Sequence, residues 1–297
     1  MKITGIDDEK CIKCLECVKE CPASLFYKPP TKTGDKRKVL FEDPNHRCIQ
    51  CGHCIAVCPT NAVKYEATET AFEFEEVTEP SSIVNYENLM KFLRSRRSIR
   101  RYKPEDVSKD NIEAILHAMK FAPSARNLQS WQYIILTDKD KIDYLRNQVV
   151  KMMGKLLKLI KYKKFLKFFL PKNIKKVIQD PRTKIGLEVL FNDIEKGLDP
   201  VFYSAPVVII SYGPKEAGFG KIDAAIAITQ GMLAAQARDL GTCWIGYAQE
   251  ALKRSKRARK ELGIPDGMAV YGVLILGHPN VKYHRTPPRN PLKIKWN

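Results

Sequence analysis

Eight of the nine cysteines lie between Cys11 and Cys58, in two runs that read C-I-K-C-L-E-C-V-K-E-C-P and C-I-Q-C-G-H-C-I-A-V-C-P. Each is C-x2-C-x2-C-x3-C-P, and the second repeats the first 37 residues later. Three cysteines two residues apart can wrap three corners of an iron–sulfur cube as the backbone turns. The fourth, followed by Pro22 or Pro59, starts the next element and reaches another cube. Structural zinc sites need only two Cys-x2-Cys pairs each and give no reason for the third close cysteine. A disulfide framework needs an oxidising compartment, and no signal peptide precedes Cys11. Inert buried thiols have no reason to repeat in register.

The two runs resemble those of two-cluster bacterial ferredoxins. The resemblance implies one [4Fe–4S] cluster on Cys11, Cys14, Cys17 and Cys58, and a second on Cys48, Cys51, Cys54 and Cys21.

A second set of chemistry-bearing residues lies further on. Arg96-Arg97-Ser98-Ile99-Arg100-Arg101 gathers guanidinium groups beside one hydroxyl, an arrangement suited to an anion and above all to phosphate. Standing alone, the same run would also serve as a solvated basic turn. Pro123-Ser124-Ala125-Arg126-Asn127-Leu128-Gln129-Ser130-Trp131 sets polar groups on a loop entering a strand, a common place for ligand-lining residues. Gly241-Thr242-Cys243-Trp244-Ile245-Gly246 carries glycines that let backbone amides approach a flat ring. Tyr283-His284-Arg285-Thr286-Pro287-Pro288-Arg289 adds two arginines near the C-terminus.

In this order the four motifs resemble the FMN-dependent nitroreductase family over roughly residues 85–290, a domain-sized span. The resemblance implies an α+β fold with a mixed central sheet flanked by helices, a homodimer, and FMN at the subunit interface. It implies that Arg96, Arg97, Ser98 and Arg100 hold the ribityl phosphate and flavin edge, and that Ser124, Asn127 and Gln129 approach the flavin from the partner subunit. Cys243, Trp244, Ile245 and Gly246 would line the isoalloxazine, mostly through backbone. Arg285 would add a phosphate contact, with Arg289 a further candidate. Cys243, the ninth cysteine, reads as a small packing residue beside the flavin.

The 297 residues suffice for two domains. The expected division is a cluster domain over 1–66, an acidic linker over 67–84, and an FMN domain over 85–297 with a basic lid or insertion at 151–184. Residues 28–47, with Pro29, Pro30 and Gly34, suggest a hairpin or loop between the two cysteine runs, and Phe72, Phe74 and Val77 alternate as in an edge strand. Helices are expected over Tyr86–Ser95, from the cap Ser108 to Ala122, and over Ile185–Lys196, Ile222–Leu240 and Gln249–Leu262. Strands are expected at Trp131–Thr137, Pro206–Tyr212, Thr242–Tyr247 and Met268–Leu276, the second and last apolar enough to be central. The prolines after Gly277 predict a non-helical tail.

Residues 151–176 interleave lysine with Leu, Ile and Phe until Pro171 interrupts them. Such a pattern suits an amphipathic surface helix, a lid over an active site, or a helix lying on an anionic membrane. Charge is divided unevenly: residues 1–80 hold 11 Lys and Arg against 14 Asp and Glu, net −3, and residues 81–297 hold 40 against 19, net +21. A basic body suits anionic cofactors, nucleic acid or a membrane surface. No recognition-helix, zinc-finger or RNA-binding motif is present, so nucleic acid is not an expected partner. No apolar run is long enough to span a bilayer. Together these features lead to an expectation: a cytoplasmic oxidoreductase that moves electrons from an external ferredoxin or other low-potential donor through two clusters to FMN. The acceptor would be a small organic molecule (nitro, quinone, enone or halogenated). The alternative is a non-catalytic flavoprotein that delivers electrons to a partner protein.

Overall fold

The computed structural model describes residues 1–29, 38–67, 69, 79–162 and 172–297. The expected edge strand at Phe72, Phe74 and Val77, the Pro30–Gly34 part of the expected hairpin, and the Pro171 interruption lie outside the described residues. The chain divides into two compact units: Met1–Asn85 with Ser124–Leu128, and Tyr86–Pro123 with Gln129–Asn297.

In the first unit β1 (Lys2–Ile6) pairs antiparallel with β4 (Val63–Glu66), in register Ile3 to Tyr65 and Ile6 to Val63, with a bulge between Ile3 and Gly5. This pair closes the ends of the unit on each other. A shorter antiparallel pair, β2 (Phe26–Tyr27) with β3 (Leu40–Phe41), flanks the undescribed part of the connection. Two brief helices, α1 (Glu16–Glu20) and α2 (His53–Ala56), carry the third cysteine of each run, Cys17 and Cys54.

The sequence repeat is also a backbone repeat. Positive φ occurs at Lys13 and Gln50, at Leu15 and Gly52, and at Ser24 and Asn61, each pair 37 residues apart. Left-handed backbone at non-glycine residues is costly and persists where the surroundings impose it. Here it recurs at equivalent places in both halves of the repeat. The core is correspondingly small: Ile3, Phe26, Val39, Ile55, Ala62 and Val63 are buried together with Cys11, Cys17 and Cys54.

The second unit is built on a four-stranded sheet in the order β5-β6-β8-β7, from β5 (Gln132–Leu136), β6 (Val207–Pro214), β7 (Gly241–Trp244) and β8 (Met268–Gly277). The nearly wholly apolar β6 and β8 are central, as their composition requires. Among the described residues all named strand pairs are antiparallel, and the mixed character expected of the sheet is confined to one parallel bridge between Ser98 and Thr242.

One layer against the sheet is α5 (Lys109–Lys120) and α9 (Gly220–Ala237), which bury Ile115, Met119, Ala224, Ala227 and Ile228. The opposite core holds α6 (Lys139–Lys161), α7 (Lys172–Gln179), α8 (Pro181–Glu195), α10 (Gly246–Arg254) and α11 (Lys256–Glu261). α3 (Pro80–Ile83) belongs to the first unit. α4 (Tyr86–Ser95) opens the second unit and leaves Tyr86, Leu89 and Leu93 exposed.

Several boundaries differ from expectation for local reasons. The expected helix over Gln249–Leu262 is two helices, because Ser255 Oγ accepts the Ala258 N–H and starts a new one. The expected strand Thr242–Tyr247 ends at Trp244, where helix α10 begins at Gly246. α6 begins well before residue 151, capped by Asp138 through the amides of Asp140 and Lys141. It buries Ile142, Leu145, Val149, Met153 and Ile160 and exposes Lys151, Lys155, Lys158 and Lys161, the behaviour of an amphipathic surface helix as far as residue 162.

Candidate functional site

In the first unit the two cysteine runs enclose two cavities. One is lined by Cys21, Cys48, Cys51 and Cys54 with Pro22 and Gly52. The other is lined by Cys11, Cys14, Cys17 and Cys58 with Leu15 and Thr60. Each cavity therefore takes three thiols from one run and the fourth from the other. Among the described residues no three His, Cys, Asp or Glu side chains converge closely enough for a single metal ion. Four thiols gathered at each site are the donor set that suits an iron–sulfur cluster.

Burial, reinforced by the charge of Cys51, pushes the Cys54 thiol up to about 12, and burial with Cys14 raises Cys17. At Cys58 burial also pushes upward, but hydrogen bonds from the Ala62 and Thr60 amides prevail and the thiol lies below its usual value. The same amide contact occurs at both fourth cysteines: Leu25 N–H to Cys21 Sγ at 3.4 Å and Ala62 N–H to Cys58 Sγ at 3.2 Å. Lys38 Nζ donates to Cys11 O at 2.6 Å. Within this unit Asn127 Nδ2 donates to Gln50 O at 2.6 Å, and Arg126 and Asn127 both hold left-handed backbone.

In the second unit the arginine motif is held against the end of β7. Ser98 bridges Thr242, and the Ile99 N–H donates to Thr242 O at 2.9 Å. Gly241 makes that approach feasible: a Cβ there would lie 2.7 Å from Ile99 Cγ1. The chain then runs along 278–280, with Lys103 N–H donating to His278 O and Asn280 N–H to Arg101 O. At the end of α4, Gln236 of α9 donates to Phe92 O at 2.9 Å and to Ser95 Oγ at 2.7 Å. These contacts fix the stem from which Arg96 and Arg97 project.

Arg96 and Arg97 line an open cavity with Gln236, Asp239, Gly241, Thr242 and Tyr283. Arg97 also borders a second open cavity with Arg94, Thr286 and Arg289. The Arg97 guanidinium donates to the carbonyls of Arg94 and Arg96. Among the described residues neither Arg96, Arg97 nor Arg289 pairs with a carboxylate within salt-bridge distance, which leaves their charge for an anion.

Other expected site residues are placed differently. Arg100 is exposed and lies 5.9 Å from the centroid of the Tyr203 ring. Cys243 is buried to 2% exposure in the core, Ile245 is buried beside it, and Gly246 starts α10. Trp244 packs toward the α9 layer, and its Nε1 donates to Gln249 Oε1. These four do not line the cavity of Arg96 and Arg97; Gly241 and Thr242 do. Gln129 is exposed with left-handed backbone, Ser124 is half-buried, and Arg285 lies exposed on the tail. Tyr283, which opens the C-terminal arginine motif, and Asp239 also line this cavity; neither was an expected site residue, and nothing in its local spacing marks Asp239.

Residues 93–278 match the model of the nitroreductase family, and residues 10–62 match that of a 4Fe-4S dicluster domain. The chain belongs to the nitroreductase family and is an oxidoreductase with an N-terminal 4Fe-4S dicluster domain. It is 27% identical over 217 residues to an Archaeoglobus fulgidus protein provisionally named NADH dehydrogenase/NAD(P)H nitroreductase, covering 71% of this chain and 99% of that protein. It is also 27% identical over 203 residues to the FMN reductase [NAD(P)H] of Bacillus subtilis, covering 67% of this chain and 69% of that protein. In fold it is similar to a nitroreductase with bound FMN from Desulfitobacterium hafniense DCB-2, with TM-score 0.52 and 24% identity over 70% of this chain and 96% of that one.

Proposed function

We propose that the chain is an iron–sulfur flavoprotein oxidoreductase, holding two [4Fe–4S] clusters and FMN, that carries electrons from a low-potential donor to a small organic acceptor. The donor is an external ferredoxin or a similar one-electron carrier, and the acceptor is a nitro, quinone, enone or halogenated compound. The crossed cysteine sets carry the reading: two four-thiol cavities, each completed from the other run, in a chain whose larger unit has the nitroreductase fold. When bound, the clusters supply one-electron transfer and FMN links one-electron to two-electron chemistry.

The residues divide this work. Cys11, Cys14, Cys17 and Cys58 hold one cluster, and Cys48, Cys51, Cys54 and Cys21 the other. Arg96 and Arg97, with Ser98, Arg100, Arg285 and Arg289 as further members, take the FMN phosphate and flavin edge; Ser124, Asn127 and Gln129 come from a second subunit of a homodimer, and the Cys243–Gly246 backbone faces the ring. Residues 1–66 form the cluster domain, 67–84 the connection and 85–297 the flavin domain, with 151–184 as its variable basic portion. The alignment that spans 99% of the Archaeoglobus relative leaves part of this chain without a counterpart there. NAD(P)H, which that relative's name invokes, is therefore not the only reductant this chain is equipped for. No helix among the described residues is long and apolar enough to cross a membrane, and a cytoplasmic location suits cluster chemistry.

Anaerobic purification and reconstitution test the reading. About eight irons per chain (two cubes) with bound FMN, and turnover of an organic acceptor with a reduced ferredoxin, are expected. Absence of either cofactor contradicts it, and full loading without turnover on any acceptor favours electron delivery to a protein.

A further inference from the structure

The two cysteine sites are related by the 37-residue repeat, so a contact present at one and missing at the other marks a difference between them. Several contacts are matched. Three left-handed positions recur in pairs, and Cys21 and Cys58 each accept the N–H of the residue four positions on, Leu25 and Ala62. Each site has a cation on a nearby carbonyl, Lys38 Nζ on Cys11 O at 2.6 Å and Arg47 Nη2 on Ala23 O at 3.0 Å. Each has a carboxylate nearby: Asp7 accepts the Lys10 N–H before Cys11, and Asp43 accepts the Cys48 N–H at 3.1 Å.

Among the described residues one side-chain contact to a ligand sulfur is unmatched. Thr60 Oγ1 lies 3.8 Å from Cys58 Sγ, within reach of a sulfur acceptor, and Thr60 lines the cavity of Cys11, Cys14, Cys17 and Cys58. The residue 37 positions earlier is Ala23, which lines the other cavity and has no side-chain polar atom. When Cys58 is a ligand its sulfur carries no proton, so the Thr60 hydroxyl is the donor.

We propose that Thr60 makes the Cys11–Cys14–Cys17–Cys58 site the easier of the two to reduce, so that it holds the electron when the pair carries one. The inference rests on reading both cavities as [4Fe–4S] sites. Reduction adds one electron from the external one-electron donor and no proton, so the site becomes more negative by one charge. A hydrogen bond to a ligand sulfur favours that more negative state and raises the potential. Thr60 is thus a positioning and tuning residue, not a ligand.

The test is a redox titration of the anaerobically reconstituted full chain, followed by electron paramagnetic resonance, for the wild type and for Thr60→Val, Thr60→Ser and Ala23→Thr. The wild type is expected to show two separable one-electron steps. Thr60→Val should weaken the easier reduction roughly tenfold, about 59 mV for a one-electron couple, and leave the harder one in place. Thr60→Ser should restore it, and Ala23→Thr should make the harder step easier. Two loaded clusters with potentials unmoved in Thr60→Val and Ala23→Thr overturn the role of Thr60 and leave the two-cluster reading intact. A wild type that binds no more than one cluster overturns both.

Discussion

Cys21 and Cys58 each stand at the end of one cysteine run yet line the cavity formed by the other. A ligand's loss should therefore be felt across the repeat. Cys58→Ala is expected to remove the cluster of Cys11, Cys14 and Cys17, lowering iron from about eight to about four per chain, while the site beside it in sequence, at Cys48, Cys51 and Cys54, stays loaded. Iron analysis with electron paramagnetic resonance of the remaining cluster checks this; loss confined to the Cys48 site would contradict the pairing. At the arginine motif, Arg97→Ala should weaken FMN binding by roughly 10- to 100-fold, because a hydrogen bond to a charged group contributes about 1.5–3 kcal/mol. Flavin release followed by fluorescence reads the effect, and unchanged affinity would remove Arg97 from the phosphate site.

At the scale of elements, β7 and β8 hold the arginine stem through close backbone approaches. Gly272 of β8 has no room for a side chain: a Cβ would lie 2.6 Å from Ile228 Cδ1 and 2.7 Å from Trp244 Cζ2. Gly272→Ala should cost about 1–3 kcal/mol through overpacking, read as a lowered Tm, and an unchanged Tm would show that Trp244 and Ile228 yield freely. Asp138→Ala should destabilise α6 by about 1 kcal/mol, since its carboxylate caps two amides; thermal melts of the two proteins compare directly. The positions of β6 and β8 were legible because their near-continuous apolar runs demand burial on both faces. The cysteine sites were legible because ligand chemistry sets spacing locally. What brings Tyr283 and Asp239 to the arginines was not, because it depends on how the tail and the end of α9 come together. Nor was the end of β7 at Trp244, where tertiary packing and the start of α10 overrode a strand-like run of residues. Thr60 carried no signal either until the two halves of the repeat could be compared atom by atom.

For the whole molecule, a net charge of +18 combines an acidic cluster segment with a basic remainder. Apolar residues stand exposed along α4 at Tyr86, Leu89 and Leu93, and Trp296 on the tail is 90% exposed. Exposed apolar faces mark interaction sites, and the proposed homodimer would use one. Light scattering should give twice the chain mass for the wild type and a shift toward monomer for Leu89→Glu with Leu93→Glu; a monomeric wild type would contradict a flavin site completed by a second subunit. In the proposed function, electrons reach the flavin by way of the clusters. Anaerobic stopped-flow spectroscopy measures it most directly, mixing the flavin-loaded protein with reduced ferredoxin or with NADH, in the wild type and in Cys58→Ala. Fast flavin reduction by ferredoxin is expected in the wild type, with a large loss of that rate in Cys58→Ala while flavin stays bound. Equal rates with ferredoxin in the two proteins would contradict it.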